Sequence, residues 1–185
     1  MPGHVVLGLD PGTRHFGWGV VERQGTRLFH RGHGVIDTDE KAPIAVRLVT
    51  IERELVEVVR AQAPDVASVE ALFFAKDPQA AAKLGHARGV ALLVCARAGL
   101  EVFEYPPARV KLAVVGSGRA DKAQVAQMIR VVLGLTALPP ADAADALALA
   151  VTHLQHAPLL SAAATAVRGG VTPGITPGMK RRPSR

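Results

Sequence analysis

Four carboxylates in this chain stand where chemistry can use them. Asp10 closes an apolar run within Gly-Leu-Asp-Pro-Gly-Thr, and Glu70 closes another within Ser-Val-Glu. Asp142 and Asp145 lie three apart at the head of a helical segment, so they share one helix face. Leu147, Val151 and Leu154 fall on the far side of that helix, towards a core, which puts the two aspartates at the core's polar edge. Singly, each acid has a plain reading. An acid after a strand is often a turn residue, and aspartates in a first helical turn complement the helix dipole, worth about 0.3–1 kcal/mol each. As a set they form a hard-oxygen donor cluster of the kind that suits Mg²⁺ or Mn²⁺. Mutual repulsion makes such a cluster costly without a cation. Two ions of this kind can activate a water and stabilise the leaving oxygen in an in-line attack on a phosphodiester.

The elements that must position these acids follow from punctuation and periodicity. Residues 4–9 read as a buried strand ending at Asp10, with Pro11-Gly12-Thr13 as a turn. Residues 16–22 read as a second strand with Phe16, Trp18 and Val20 on one face, and Gln24-Gly25 turns into a third over 27–36. Thr38 or Asp39 can cap a helix whose first turn suits Pro43. Ile44, Leu48, Ile51, Leu55 and Val58 then recur at helical spacing until Pro64. Residues 66–70 form a short strand ending in Glu70, followed by a loop over 72–76.

A long helix is expected over 78–98, with Ala81, Gly85 and Gly89 four apart on one face. Each interior glycine costs about 1 kcal/mol relative to alanine. The stripe therefore suggests a close backbone approach, either to the sheet or to a second copy of the chain. A fifth strand over 100–105 stops at Pro106-Pro107, and Gly116-Ser117-Gly118 reads as a loop. Helices over 121–133 and 141–156 complete the order βββαβαβαα. The expected fold class is α/β, a mixed five-stranded sheet flanked by helices, in one domain over 1–157. Residues 158–185 lose periodicity and read as a disordered basic tail rich in Pro, Gly and Ala.

Composition narrows the class. The chain has 185 residues, 49% of them apolar and 21% charged, which is ordinary globular material. Its net charge of +6 is concentrated at the end, where Arg168, Lys180, Arg181, Arg182 and Arg185 face no acid. Residues 1–157 are nearly neutral, so charge alone does not argue for a nucleic-acid partner. One cysteine, Cys95, excludes an internal disulfide framework and reads as a packing residue. No run reaches the ~18 apolar residues of a membrane span, and no leader pattern is present, so the expected compartment is the cytosol.

Six motifs occur in order along the chain: Leu-Gly-Leu-Asp-Pro-Gly-Thr, Val-Glu-Ala-Leu-Phe-Phe-Ala-Lys, Lys-Leu-Gly-His-Ala-Arg-Gly, Val-Phe-Glu-Tyr-Pro-Pro, Val-Val-Gly-Ser-Gly-Arg-Ala-Asp-Lys and Ala-Asp-Ala-Ala-Asp-Ala-Leu-Ala. Together they resemble the RuvC family of bacterial crossover (Holliday) junction endonucleases. The likeness runs from about residue 5 to 156. It implies a ribonuclease H-like fold and a homodimer that nicks opposing strands of a four-way junction, leaving 5′-phosphate and 3′-hydroxyl ends. It also implies Asp10, Glu70, Asp142 and Asp145 as catalytic metal ligands, with Mg²⁺ or Mn²⁺, two ions per site, and no nucleotide cofactor. The implied partners are four-way DNA junctions and the RuvA–RuvB branch-migration complex, with no membrane partner.

Of Phe73 and Phe74, one can anchor its loop and the other can stack on an unpaired base, worth about 1–3 kcal/mol. The resemblance selects Phe73. Lys76, Lys83, Arg88, Arg109, Lys111, Arg119 and Lys122 are candidate phosphate contacts, each with solvation as the plain alternative. Lys111 and Lys122 match family positions near the scissile strand, and Lys122 also opens a helix, where backbone N–H groups favour an anion. Gly17 and Gly19 either let DNA approach the sheet or thin the packing. Asp77 stands where the family commonly has Asn, and His86 where it has Gln. Of seven histidines, His15, in the loop after Asp10, is the one placed to assist the acids.

Three rivals remain. An actin-like ATPase shares the Asp-x-Gly-Thr turn but needs two such domains. A junction-binding protein without catalysis requires a broken carboxylate set. A related ribonuclease H-like nuclease could act on another substrate.

Overall fold

Strand alternation sorts the acids before any tertiary contact does. The computed structural model describes residues 3–71 and 78–169, with the side chains of 78–83 and 157–169 outside the description. Strands β1 (His4–Asp10), β2 (His15–Gln24), β3 (Arg27–Asp37), β4 (Val66–Glu70) and β5 (Glu101–Tyr105) form one sheet in the order β3-β2-β1-β4-β5. The pairs β1/β2 and β2/β3 are antiparallel, whereas β1/β4 and β4/β5 are parallel. A period of two puts Val6, Gly8 and Asp10 on one face, with Gly17, Gly19 and Val21 from β2 and Ser68 and Glu70 from β4. Leu7, Leu9, Phe16, Val20, Ala67 and Val69 form the other face.

The second face is covered by α1 (Ile44–Gln62) and α2 (Pro78–Arg97) through Ile51, Leu55, Ala87, Ala91, Val94 and Cys95. Cys95 is buried there, as its apolar context predicts. The first face carries the part of α5 (Ala141–Gly169) up to Leu154, with α3 (Pro107–Val115) and α4 (Lys122–Val132) in the same core. Leu147, Val151 and Leu154 are buried in that core as the helical spacing required.

Three details depart from the sequence reading. Helix α3 was not anticipated. Pro106 is its extended N-cap residue, Pro107 sits in its first turn, and Val110 and Val114 bury one short face. The last helix does not end near His156 but runs to Gly169. The Ala-rich stretch keeps its helix propensity after the apolar periodicity has gone. The chain divides into Met1–Gln155 and a second unit from His156. Finally, neither Thr38 nor Asp39 caps α1, whose N-cap is Pro43 without a side-chain bond. Thr38 Oγ1 instead donates to the Thr13 carbonyl at 2.7 Å, and Asp39 Oδ1 accepts from the Lys41 N–H at 2.9 Å. At the other end of α1, Ala63 adopts a left-handed conformation immediately before Pro64.

Candidate active site

The acids are brought together by close backbone packing of α5 on the sheet. A Cβ built on Gly8 would lie 1.8 Å from the Ala146 carbonyl oxygen. One on Gly17 would lie 2.1 Å from the Asp142 carbonyl oxygen, and one on Gly19 would lie 2.6 Å from Leu147 Cγ. The helix answers with small residues, Ala143, Ala146 and Ala150, all fully buried. Gly17 and Gly19 therefore serve helix–sheet packing, which decides between the two roles the sequence left open. Gly17 is also the cross-strand partner of Asp10, so the same contact sets the head of α5 beside the end of β1.

Asp10, Glu70 and Asp145 line one cavity of about 220 Å³ with Pro107, Val110, Lys111, Lys122, Val125 and Leu149. Asp142 is absent from that lining but acts on Asp10 through its charge. Burial, then repulsion from Asp145, Glu70 and Asp142, pushes the Asp10 carboxyl up to about 7, against the pull of Lys122. Burial and Asp145 also raise Glu70, while Lys122, Lys111 and Arg88 oppose the rise. Lys122 Nζ donates to Asp145 Oδ2 at 2.7 Å, and this bond raises the lysine above its ordinary value despite partial burial.

The donor chemistry fits a hard divalent cation: only carboxylate oxygens converge, and their charges are under-compensated. In the arrangement present, no three His, Cys, Asp or Glu side chains among the described residues are close enough to hold an ion together.

Lys122 owes its place to local sequence. Asp121 caps α4 and accepts from the Gln124 N–H at 2.8 Å, while Gln124 Oε1 accepts from the Asp121 N–H at 3.0 Å. Lys111 comes from the unanticipated α3, whose Pro107 and Val110 also wall the cavity. A Pro-Pro pair followed by Val110 and Val114 at four-residue spacing is the signal that could have found it.

The other candidates scatter. Arg109 and Arg119 are exposed and lie outside the cavity lining. Phe73 and Lys76, with Phe74 and Asp77, lie outside the described residues, as does the Lys83 side chain. His86 is exposed on α2. His15 Nδ1 lies 2.6 Å from Asp37 Oδ1 at the end of the β2/β3 ladder, two residues before Gly17, and does not line the cavity. Arg88 is the clearest departure. It is 6% exposed, donating through Nη1 to the Glu70 carbonyl and through Nη2 to Glu104, each at 2.6 Å. It is not a free surface cation awaiting a phosphate. Gly85 and Gly89 are exposed, and a Cβ on either would meet nothing within 4 Å. Packing on the sheet is therefore not what those two glycines permit.

Comparison with known proteins agrees with this geometry. The family model for crossover junction endodeoxyribonuclease RuvC matches residues 6–153. A RuvC from Sorangium cellulosum is 60% identical over 168 residues, covering 91% of this chain and 93% of the relative. One from Azorhizobium caulinodans is 52% identical over 151 residues, covering 82% and 89%. Among solved structures, T. thermophilus RuvC in complex with Holliday junction substrate superposes with a TM-score of 0.80 at 38% identity, over 85% of this chain and 97% of that one. On fold, motif order and sequence alike, the chain belongs to the RuvC family of crossover junction endodeoxyribonucleases, built on a ribonuclease H-like fold.

Proposed function

We propose that this protein resolves four-way DNA junctions by paired symmetric nicks, with Asp10, Glu70, Asp142 and Asp145 as its catalytic metal ligands. The observation that carries the reading is the single cavity where three of these acids meet Lys111 and Lys122. RuvC-family nucleases are metal-dependent. Mg²⁺ or Mn²⁺, two ions per site, would supply an activated water and charge neutralisation at the leaving oxygen. Asp10, central to the repulsion, gains most from a cation. Lys111 and Lys122, which line the same cavity as the acids, hold the phosphate, and Phe73 and Lys76 contact the junction. Arg109, Arg119 and Lys83 supply sequence-independent contacts to the arms, sensitive to salt.

A two-fold dimer fits the task because a four-way junction is nearly two-fold symmetric. The exposed Gly85 and Gly89 on α2 suit a close approach by a second copy. Among the described residues no helix is long and apolar enough to cross a membrane. We infer from the family that the protein works in the cytoplasm, beside a RuvA–RuvB complex. Residues 158–185 add a basic extension to the nuclease domain at 1–157.

The test is a labelled synthetic junction beside matched linear duplex, with Mg²⁺, Mn²⁺ or chelator. Symmetric metal-dependent nicks on the junction alone are expected. Asp10→Asn and Glu70→Gln should each lower cleavage by more than about a hundredfold, beyond the scale of outer-shell losses, while junction binding survives. Binding without cleavage in either metal would reduce the protein to a junction-binding module. Equal cutting of duplex would remove the junction from the claim.

A further inference from the structure

Arg88 occupies a position that an apolar residue would fill by the logic of its helix. Ala87, Ala91, Val94 and Cys95 form the buried stripe of α2, and Arg88 sits in that stripe at 6% exposure. A buried guanidinium needs partners. Its two are at the C-terminal ends of neighbouring strands: the Glu70 carbonyl of β4 and the Glu104 carboxylate of β5. In the β4/β5 register, Val69 pairs with Glu104 and Glu70 with Tyr105, so the fork spans the last rung of the ladder. The Ala71 N–H donates to the Tyr105 carbonyl at 2.9 Å and closes the same rung.

Alternation places Glu104 on the α1/α2 face and the Glu70 side chain on the α5 face. Arg88 thus grips the Glu70 peptide from the face opposite to that side chain. It lines a second cavity of about 170 Å³ that Asp10 and Glu70 also line.

We propose that Arg88 is a positioning residue: by fixing the last peptide of β4 it sets where the Glu70 carboxylate stands relative to Asp10 and Asp145. This rests on the nuclease reading of the same site. Lysine cannot reproduce the fork, because one ammonium lacks the two-ended planar geometry that bridges a carbonyl and a carboxylate.

The experiment compares Arg88→Lys, Arg88→Met and Glu104→Gln in the full chain. Four readouts are needed: Mn²⁺ affinity by calorimetry without DNA, junction affinity in chelator, kcat and KM of cleavage, and Tm. Arg88→Lys is expected to lower Mn²⁺ affinity and kcat by about 10- to 100-fold, the scale of outer-shell losses, with KM and junction affinity unchanged. Glu104→Gln keeps the Glu70 contact and should leave Mn²⁺ affinity close to wild type. Wild-type Mn²⁺ affinity and kcat in Arg88→Lys would overturn the proposal. So would a loss of junction affinity alone, which marks a phosphate contact. Equal losses in Arg88→Lys and Glu104→Gln that track Tm would also overturn it, leaving only a structural ion pair. Should Arg88→Met fail to fold, Arg88→Lys decides. A wild-type chain that binds Mn²⁺ but cuts no junction removes the nuclease reading, and the affinity series still judges Arg88. One that binds no Mn²⁺ overturns both.

Discussion

On one face of the sheet, α5 rests on Gly8 and Gly17 with backbone against backbone, and on Gly19 through the Leu147 side chain. On the other, α1 and α2 rest on Leu7, Leu9, Phe16 and Val20 through side chains. Side-chain packing can relax by rotamer changes and small shifts, so its geometry is forgiving. Backbone packing leaves no such slack. The acids Asp10, Asp142, Asp145 and Glu70 all belong to the unforgiving face. Position there is set to within the thickness of a methyl group, and the cost is borne by glycines in strand interiors, which weaken strands.

That contrast can be broken most directly at Gly8. In Gly8→Ala the new methyl meets the Ala146 carbonyl, which cannot rotate aside. Overpacking usually costs about 1–3 kcal/mol, and here the loss should reach about 3 kcal/mol or more. It should read as a lower urea midpoint at unchanged slope, with cleavage per folded molecule falling too, because Asp145 adjoins Ala146. Normal cleavage in this variant would end the claim that backbone packing sets the site.

The next effect is electrostatic and belongs to the same face. Asp10 titrates at about 7 in the folded chain against an ordinary 3.8, so the folded state binds more protons between those values. Asp10 alone should therefore lower stability without metal as pH rises from about 4 to about 7, by at most about 1.4 kcal/mol per pH unit, and Glu70, also raised, adds to the fall in the same direction. Asp10→Asn should reduce this slope to the part that Glu70 contributes in urea titrations with chelator present, and a bound divalent cation should flatten it in the wild type. A pH-independent wild-type chain would show that the acids do not burden the fold.

Ile51→Val on the forgiving face should cost about 0.5–1.5 kcal/mol and leave cleavage per folded molecule unchanged. A loss of activity there would mean that α1 also sets the site. Smallest, and opposite in sign, is Gly89→Ala. With nothing within 4 Å of the added methyl, helix propensity should stabilise the chain by about 0.5–1 kcal/mol. That raises Tm by about 2–4 °C at most. If two copies meet on this face, sedimentation should show a weaker dimer in the same variant.

What the sequence made legible follows from the range of each signal. Asp10 and Glu70 at strand ends, and Asp142 and Asp145 on one turn, are local facts of period and punctuation. Their convergence was readable only through family motif order. Helix α3 escaped because nine residues carry two buried contacts, Val110 and Val114, too few to make a periodicity. Thr38 looked like a cap but bonds Thr13, 25 positions earlier. Arg88 looked like a surface cation, because nothing local reveals that its partners are a carbonyl and a carboxylate on two strands. Long-range polar partners are invisible to pattern, and Arg88 and Thr38 were misread for that one reason.

The alternation of β1 and β4 also has a parity. Val6, Gly8 and Asp10 share one phase, and Val66, Ser68 and Glu70 share the other strand's matching phase. Losing or gaining one residue within either strand would turn its acid towards α2 and bury it among Leu7, Leu9 and Val69. A change of two would restore the phase. Apolar exchanges at Leu7, Leu9 or Val69 are thus open to a chain carrying this site, whereas Gly8 and single-residue length changes between Val6 and Asp10, or between Val66 and Glu70, are not.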